Sequence, residues 1–292
     1  MTQEKKDSGG PRPIPRRPRR QTATLAFTLI CLSIAACSSS SSGPKKPDKF
    51  TQEVLSTPKE QLFDKGKALI AKKKYDQGRK YLNFVFETYP NDPQGRDALL
   101  LVADSYFRQN TSTGYTEARF RYRDYLNRYP AAPRRDYARY QFALCYDKEH
   151  AKADRDQTPT REAIEQYDAL LREFPNSIYA AEARARIAQL VDVMAEHEFL
   201  VGYFYMRKGD SAAALARFAS LEERYPQYGG RDKLFFYSAR VLQRLGRSQE
   251  AERYLARLVA EYPASQYARK AQKSVKSKAP ATASVDTRPR NE

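Results

Sequence analysis

The chain of 292 residues is long enough for one or two domains or a single repeat array. With 21 Tyr, 14 Phe, only 12 Gly and no Trp, it is neither low-complexity nor collagen-like. Lys and Arg outnumber Asp and Glu by 52 to 35, a net charge of +17 that taken alone would suggest nucleic acid or an anionic membrane. The surplus sits at the ends: residues 1–36 and 264–292 each carry +5, and the body between them carries +7 with basic and acidic residues interleaved, which argues against a nucleic-acid groove.

The first element is an export signal over residues 1–36. A basic stretch from Arg12 to Arg20 leads into an apolar run from Ala23 to Ala36, too short for a membrane-spanning helix and closed by small residues. Ile34-Ala35-Ala36-Cys37 resembles a bacterial lipobox, so Cys37 is the expected site of diacylglycerol attachment, its sulfur being the best nucleophile among side chains. Five serines, Gly43, Pro44 and Pro47 follow, and residues 37–55 read as a flexible tether. Cys31 leaves with the signal and Cys37 is acylated, so Cys145 has no disulfide partner and reads as a buried apolar residue.

Residues 56–276 carry an internal repeat. An aromatic residue precedes proline at Tyr89-Pro90, Tyr129-Pro130, Phe174-Pro175, Tyr225-Pro226 and Tyr262-Pro263. Twelve residues before each proline stands a small residue: Gly78, Ala118, Ala163, Ala214 and Ala251. Eight before stand Leu82, Tyr122, Tyr167, Phe218 and Leu255, and five before stand Val85, Tyr125, Leu170, Leu221 and Leu258. Those intervals trace one face of a helix that the proline ends. Thirteen residues after the first four prolines come Ala103, Ala143, Ala188 and Ala239, which marks a second helix with a close crossing in each unit. Asp92 before Pro93, together with Ser177 and Ser265, reads as a start signal, and Gly209 and Gly246 as turns between paired helices. Lys148 to Thr160 reads as a polar loop in the third unit, and Ser177 to Lys208 as one helix of roughly 30 residues in the fourth. The expected fold is all-α, a tetratricopeptide-like α-solenoid of about five helix pairs, followed by a disordered tail over residues 277–292.

Candidates for chemistry are absent from this pattern. His150 and His197 lack metal-ligand spacing with Cys145, and His197 between Glu196 and Glu198 reads as solvated or salt-bridged. Glu222 and Glu223 are adjacent on a helix and point apart. The sequence therefore calls for no catalytic residue, no metal and no cofactor.

Two stretches carry a family resemblance. The first runs Asp154-Arg155-Asp156-Gln157-Thr158 through Ala163 to Phe174-Pro175-Asn176-Ser177-Ile178-Tyr179-Ala180. The second is Ala195-Glu196-His197-Glu198 with Val201, Tyr203, Tyr205, Lys208-Gly209, Ala212-Ala213 and Arg217. With the repeat count and the lipobox, the chain resembles the BamD family of outer-membrane assembly lipoproteins over roughly residues 50–275. The resemblance implies a scaffold anchored on the periplasmic face of the outer membrane, partnered by a BamA-type barrel protein, other assembly-complex lipoproteins and unfolded outer-membrane proteins. Carried onto this chain, it makes Tyr203, Tyr205, Arg207 and Lys208 candidates for the BamA side, although packing accounts equally for the tyrosines and a solvated helix end for the cations. Tyr106, Arg108, Tyr137 and Tyr140 are the candidates for the substrate side, with the core as the alternative for the tyrosines. A different tetratricopeptide lipoprotein, a periplasmic adaptor in cell division or cell-wall processes, is the alternative for the whole chain.

Overall fold

The computed structural model describes residues 48–278, so the signal, Cys37 and the tail beyond 278 lie outside the described residues. Twelve helices, and no strand, occur among them: α1 (Lys49–Ser56), α2 (Lys59–Ala71), α3 (Tyr75–Thr88), α4 (Pro93–Phe107), α5 (Ser112–Arg128), α6 (Arg135–Glu149), α7 (Thr158–Glu173), α8 (Ala180–Lys208), α9 (Ser211–Arg224), α10 (Arg231–Arg244), α11 (Ser248–Glu261) and α12 (Gln266–Lys278). Five antiparallel-type pairs, α2/α3 to α10/α11, are stacked so that the second helix of each touches the first of the next. The fold is the expected all-α repeat array, with α1 and α12 flanking the five pairs. Residues 49–55, placed in the tether, are helical in α1: Val54 is buried and the Phe50 ring meets Tyr81 edge-on at 5.2 Å.

The aromatic-proline pairs end helices by one mechanism. Proline's Cδ bars the preceding residue from the helical region. Accordingly Tyr89, Tyr129, Phe174, Tyr225 and Tyr262 all take φ between −123° and −136° with ψ between 53° and 68°. Each still donates its N–H to the carbonyl four residues back, so the last turn is closed before the chain leaves it. Asp92 accepts from the Gln94 amide at 2.8 Å with Pro93 in the first turn, as its spacing predicts. Ser177 does not cap α8, because the helix begins three residues later. Its hydroxyl instead donates to Asp136 Oδ2 at 2.7 Å, in the first turn of α6. Ser265 repeats that link to Asp232 in the first turn of α10 at 2.6 Å.

Gly78, Ala118, Ala163, Ala214 and Ala251 are all buried at the predicted crossings, as are Ala103, Ala143 and Ala239. Ala188 departs from the pattern and is exposed. The cause is the length of α8, which runs unbroken for 29 residues. Its first half packs on α7 through Ala183, Ile187 and Leu190, whereas α9 packs on the second half through Phe199, Gly202 and Met206. No following helix reaches the face where Ala188 sits.

Buried carboxylates tie the second, third and fourth pairs together. Asp104 on α4 accepts from the Tyr122 and Tyr137 hydroxyls at 2.6 and 2.8 Å, and Asp147 on α6 accepts from Tyr167 at 2.9 Å and from Arg186 Nε at 2.7 Å. In each case the donors come from the paired helix and from the first helix of the next pair. His197 is half-buried and has no salt bridge among the described residues: its Nδ1 lies 2.7 Å from the Ala153 carbonyl, which fastens the third-pair loop to α8. Gln157 seals that loop from inside, donating to the Lys152 and Arg155 carbonyls.

Candidate partner-binding site

The C-terminal end of α8 owes its form to Gly202. A Cβ there would stand 2.5 Å from Phe218 Cε1, so the glycine lets α9 come close and fixes which side of α8 faces inward. Phe199 stacks on Phe218 at 5.5 Å and on Tyr203 at 6.1 Å, and Tyr203 meets Tyr237 edge-on at 5.0 Å. Tyr203 is thus a half-buried packing residue. Tyr205 is also half-buried and touches the Phe204 ring edge-on at 5.7 Å.

Phe204 is 54% exposed, and sequence reasoning passed over it between its two tyrosine neighbours. A usable signal existed: two residues past Gly202 is about 200° around the helix, on the side opposite the close crossing. Arg207 and Lys208 are exposed, with Lys208 Nζ 5.6 Å from the Phe204 ring centre. Arg207 has no hydrogen bond or ion pair among the described residues. Gly209, left-handed at φ 90°, ends the helix here, and Arg244 of α10 donates to the Met206 carbonyl at 2.9 Å. An exposed aromatic ring beside two cations is therefore held on a rigid corner, and the cations also lie at the negative end of the helix dipole. Nearby, a groove of about 600 Å³ runs between α9, α10 and α11, lined by Leu215, Ala216, Ala219, Leu242, Leu245 and Tyr254.

The candidates in the first repeats divide differently. Tyr140 is 5% exposed, stacked on Tyr179 at 4.8 Å and tilted against Tyr167 at 5.9 Å, so it belongs to the core. Tyr137 shares Tyr179 at 6.0 Å and spends its hydroxyl on Asp104. Burial first, then the Asp104 carboxylate, pushes the Tyr137 phenol well above its usual range, which keeps it a neutral donor. Tyr106 is half-buried beneath Arg79, whose guanidinium lies 4.0 Å from the ring centre. Arg79, only 6% exposed, is held by Ser105 and Asp76, and nothing in its helical spacing announced a buried cation. Arg108 is exposed at the end of α4. The structure thus brings Tyr137 and Tyr140 together around Tyr179, leaves Tyr106 half-buried under Arg79, and leaves Arg108 as the exposed member of the set.

The family model YfiO, described as outer membrane lipoprotein, matches residues 56–254. The outer membrane protein assembly factor BamD of Caulobacter vibrioides is 26% identical over 248 residues, covering 85% of this chain and 78% of its own. The assembly factor of the same name from Rickettsia prowazekii is 27% identical over 242 residues, covering 83% of this chain and 92% of its own. Among solved structures, the TPR2AB domain complex of yeast Sti1 overlaps 75% of this chain and 84% of its own at 17% identity, with a TM-score of 0.42. Since the family model spans well over half of the sequence, through all but the end of the last helix pair, the chain belongs to the YfiO family, that of BamD.

Proposed function

We propose that the chain is a lipid-anchored scaffold of outer-membrane β-barrel assembly, attached through Cys37 to the periplasmic face of the outer membrane. Its α8 corner, formed by Phe204, Tyr205, Arg207 and Lys208, takes a BamA-type barrel protein. The face bearing Tyr106 and Arg108 takes unfolded barrel substrates, and other lipoproteins of the assembly complex occupy further surface. The reading draws its family from the match over residues 56–254 and its site from Phe204. A large aromatic side chain left exposed at 54% on a rigid helix end, flanked by unpaired cations, has the make-up of a protein-interface anchor.

The test is recovery of the tagged protein from native membranes in mild detergent. Wild type should bring down a BamA-type barrel protein, and Phe204→Asp/Arg207→Glu should lower that recovery by roughly tenfold or more with helicity unchanged. Equal recovery by both proteins would remove the α8 assignment. Recovery of wild type with no barrel protein at all would remove the proposed function.

A further inference from the structure

Helix α12 is charged in one sense only. Its 13 residues include Arg269, Lys270, Lys273, Lys276 and Lys278 and no acidic residue. Tyr267 packs half-buried against Phe236 and Tyr237, and the rest of the inward side is made of Ala268 and Ala271, 0% and 1% exposed, where the helix lies against α10 and α11. Side chains that small leave the outward arc entirely to polar groups: Gln266, Arg269, Lys270, Gln272 and Lys273 are all exposed. At 100° per residue, Arg269, Lys270 and Lys273 fall within about 100° of the helix circumference. Among the described residues none of the three has a carboxylate within ion-pair distance. By contrast, on α11 Arg257 is paired with both Glu222 and Glu261, and Arg247 just before that helix is paired with Glu250. Lys270 rests 5.1 Å from the Tyr267 ring centre, which leaves its charge outward.

We infer that α12 is an electrostatic docking face for a membrane surface rich in anionic phospholipid headgroups. Two observations favour a lipid surface over an acidic protein. Protein interfaces are organised around buried aromatic or arginine anchors seated in pockets, and no large apolar side chain is exposed on α12 among the described residues. A headgroup layer demands no anchor, only several uncompensated cations presented on one side of a helix that can lie flat. With no large apolar side chain exposed among the described residues, α12 rests on headgroups and does not insert. The inference does not depend on which partner occupies the α8 corner.

The experiment uses the mature chain from residue 37 onward carrying Cys37→Ser, so that neither an acyl anchor nor the basic, apolar leader can supply the attachment. It is sedimented with vesicles of phosphatidylethanolamine and phosphatidylglycerol, and separately with phosphatidylcholine vesicles, at low and at high salt. The comparison variants, in the same background, are Arg269→Gln/Lys270→Gln/Lys273→Gln and the corresponding triple glutamate exchange. Removing three cations should weaken binding to the anionic vesicles by roughly a hundredfold, about fivefold for each, and reversal should weaken it further. Binding to phosphatidylcholine should not distinguish the proteins, and high salt should abolish the difference. The neutral variant guards against misfolding of the reversed one, with helicity and melting temperature compared for both. Equal binding of parent and both variants to anionic vesicles would overturn the inference. So would unchanged vesicle binding with loss of a purified acidic protein partner, which would assign α12 to a protein.

Discussion

Gly202 and Ala188 are small residues on the same helix, and Ala188 alone stands at a predicted crossing, yet only Gly202 has a neighbouring helix against it. The Phe218 ring fills the space beside Gly202, so Gly202→Ala should lower unfolding free energy by about 1–3 kcal/mol through overpacking. Ala188 is exposed, and even Ala188→Trp should change stability by no more than about 0.5 kcal/mol. Urea unfolding of the two variants beside wild type checks both figures, and a reversal of their order would contradict the packing described. Asp92 offers a residue-scale test against pH. Lys59 Nζ at 2.5 Å, and then the Gln94 amide, hold its carboxyl below the ordinary value of 3.8. A depressed carboxyl stabilises the fold above its ordinary pKa, and that contribution disappears as pH falls through the lower folded value. Asp92→Asn keeps a capping oxygen but removes the charge, so its stability should decline less than that of wild type between about pH 4 and pH 2, as read by denaturant midpoints.

Helix α8 determines how the elements are arranged. Its first half belongs to the core built with α6 and α7, and its second half to the core built with α9 to α12. The two share no buried residue, so continuity between them rests on the helix itself. Val193 lies between Leu190 of the first cluster and Ala195 of the second. Val193→Pro removes one backbone hydrogen bond and clashes with the preceding turn, at a cost of about 3 kcal/mol or more. Beyond that loss, the two halves should cease to unfold together. Near-ultraviolet and far-ultraviolet signals would then separate into two transitions in the variant, where wild type shows one. A single coincident transition in Val193→Pro would mean that contacts outside α8 couple the halves. The same helix explains why the expected BamA-side residues divide: Tyr203 and Tyr205 are half-buried against the core of α9 to α12, while Arg207 and Lys208, together with the unexpected Phe204, are exposed.

For the molecule as a whole, the +17 net charge resolves into two basic ends and a body near balance, where arginines such as Arg139, Arg186 and Arg257 are paired with carboxylates. Cys37→Ser should abolish lipid attachment and leave an unprocessed precursor; mass spectrometry checks both, and unchanged lipidation and processing would dismiss the lipobox. From sequence alone came the helical class, the five pairs, their ends at aromatic-proline steps and nearly every small crossing residue. Those features follow from local rules: proline's steric exclusion acts on its immediate neighbour, and a helical face repeats every 3.6 residues wherever the chain lies. The partners of buried polar groups needed the tertiary structure. Asp104 receives hydroxyls 18 and 33 residues away, His197 meets a carbonyl 44 residues back, and Arg79 lies buried over Tyr106. It also decided that Tyr140 is core, that Phe204 is surface and that Ala188 faces no helix, because exposure depends on where the next helix stands, and the length of α8 moved it.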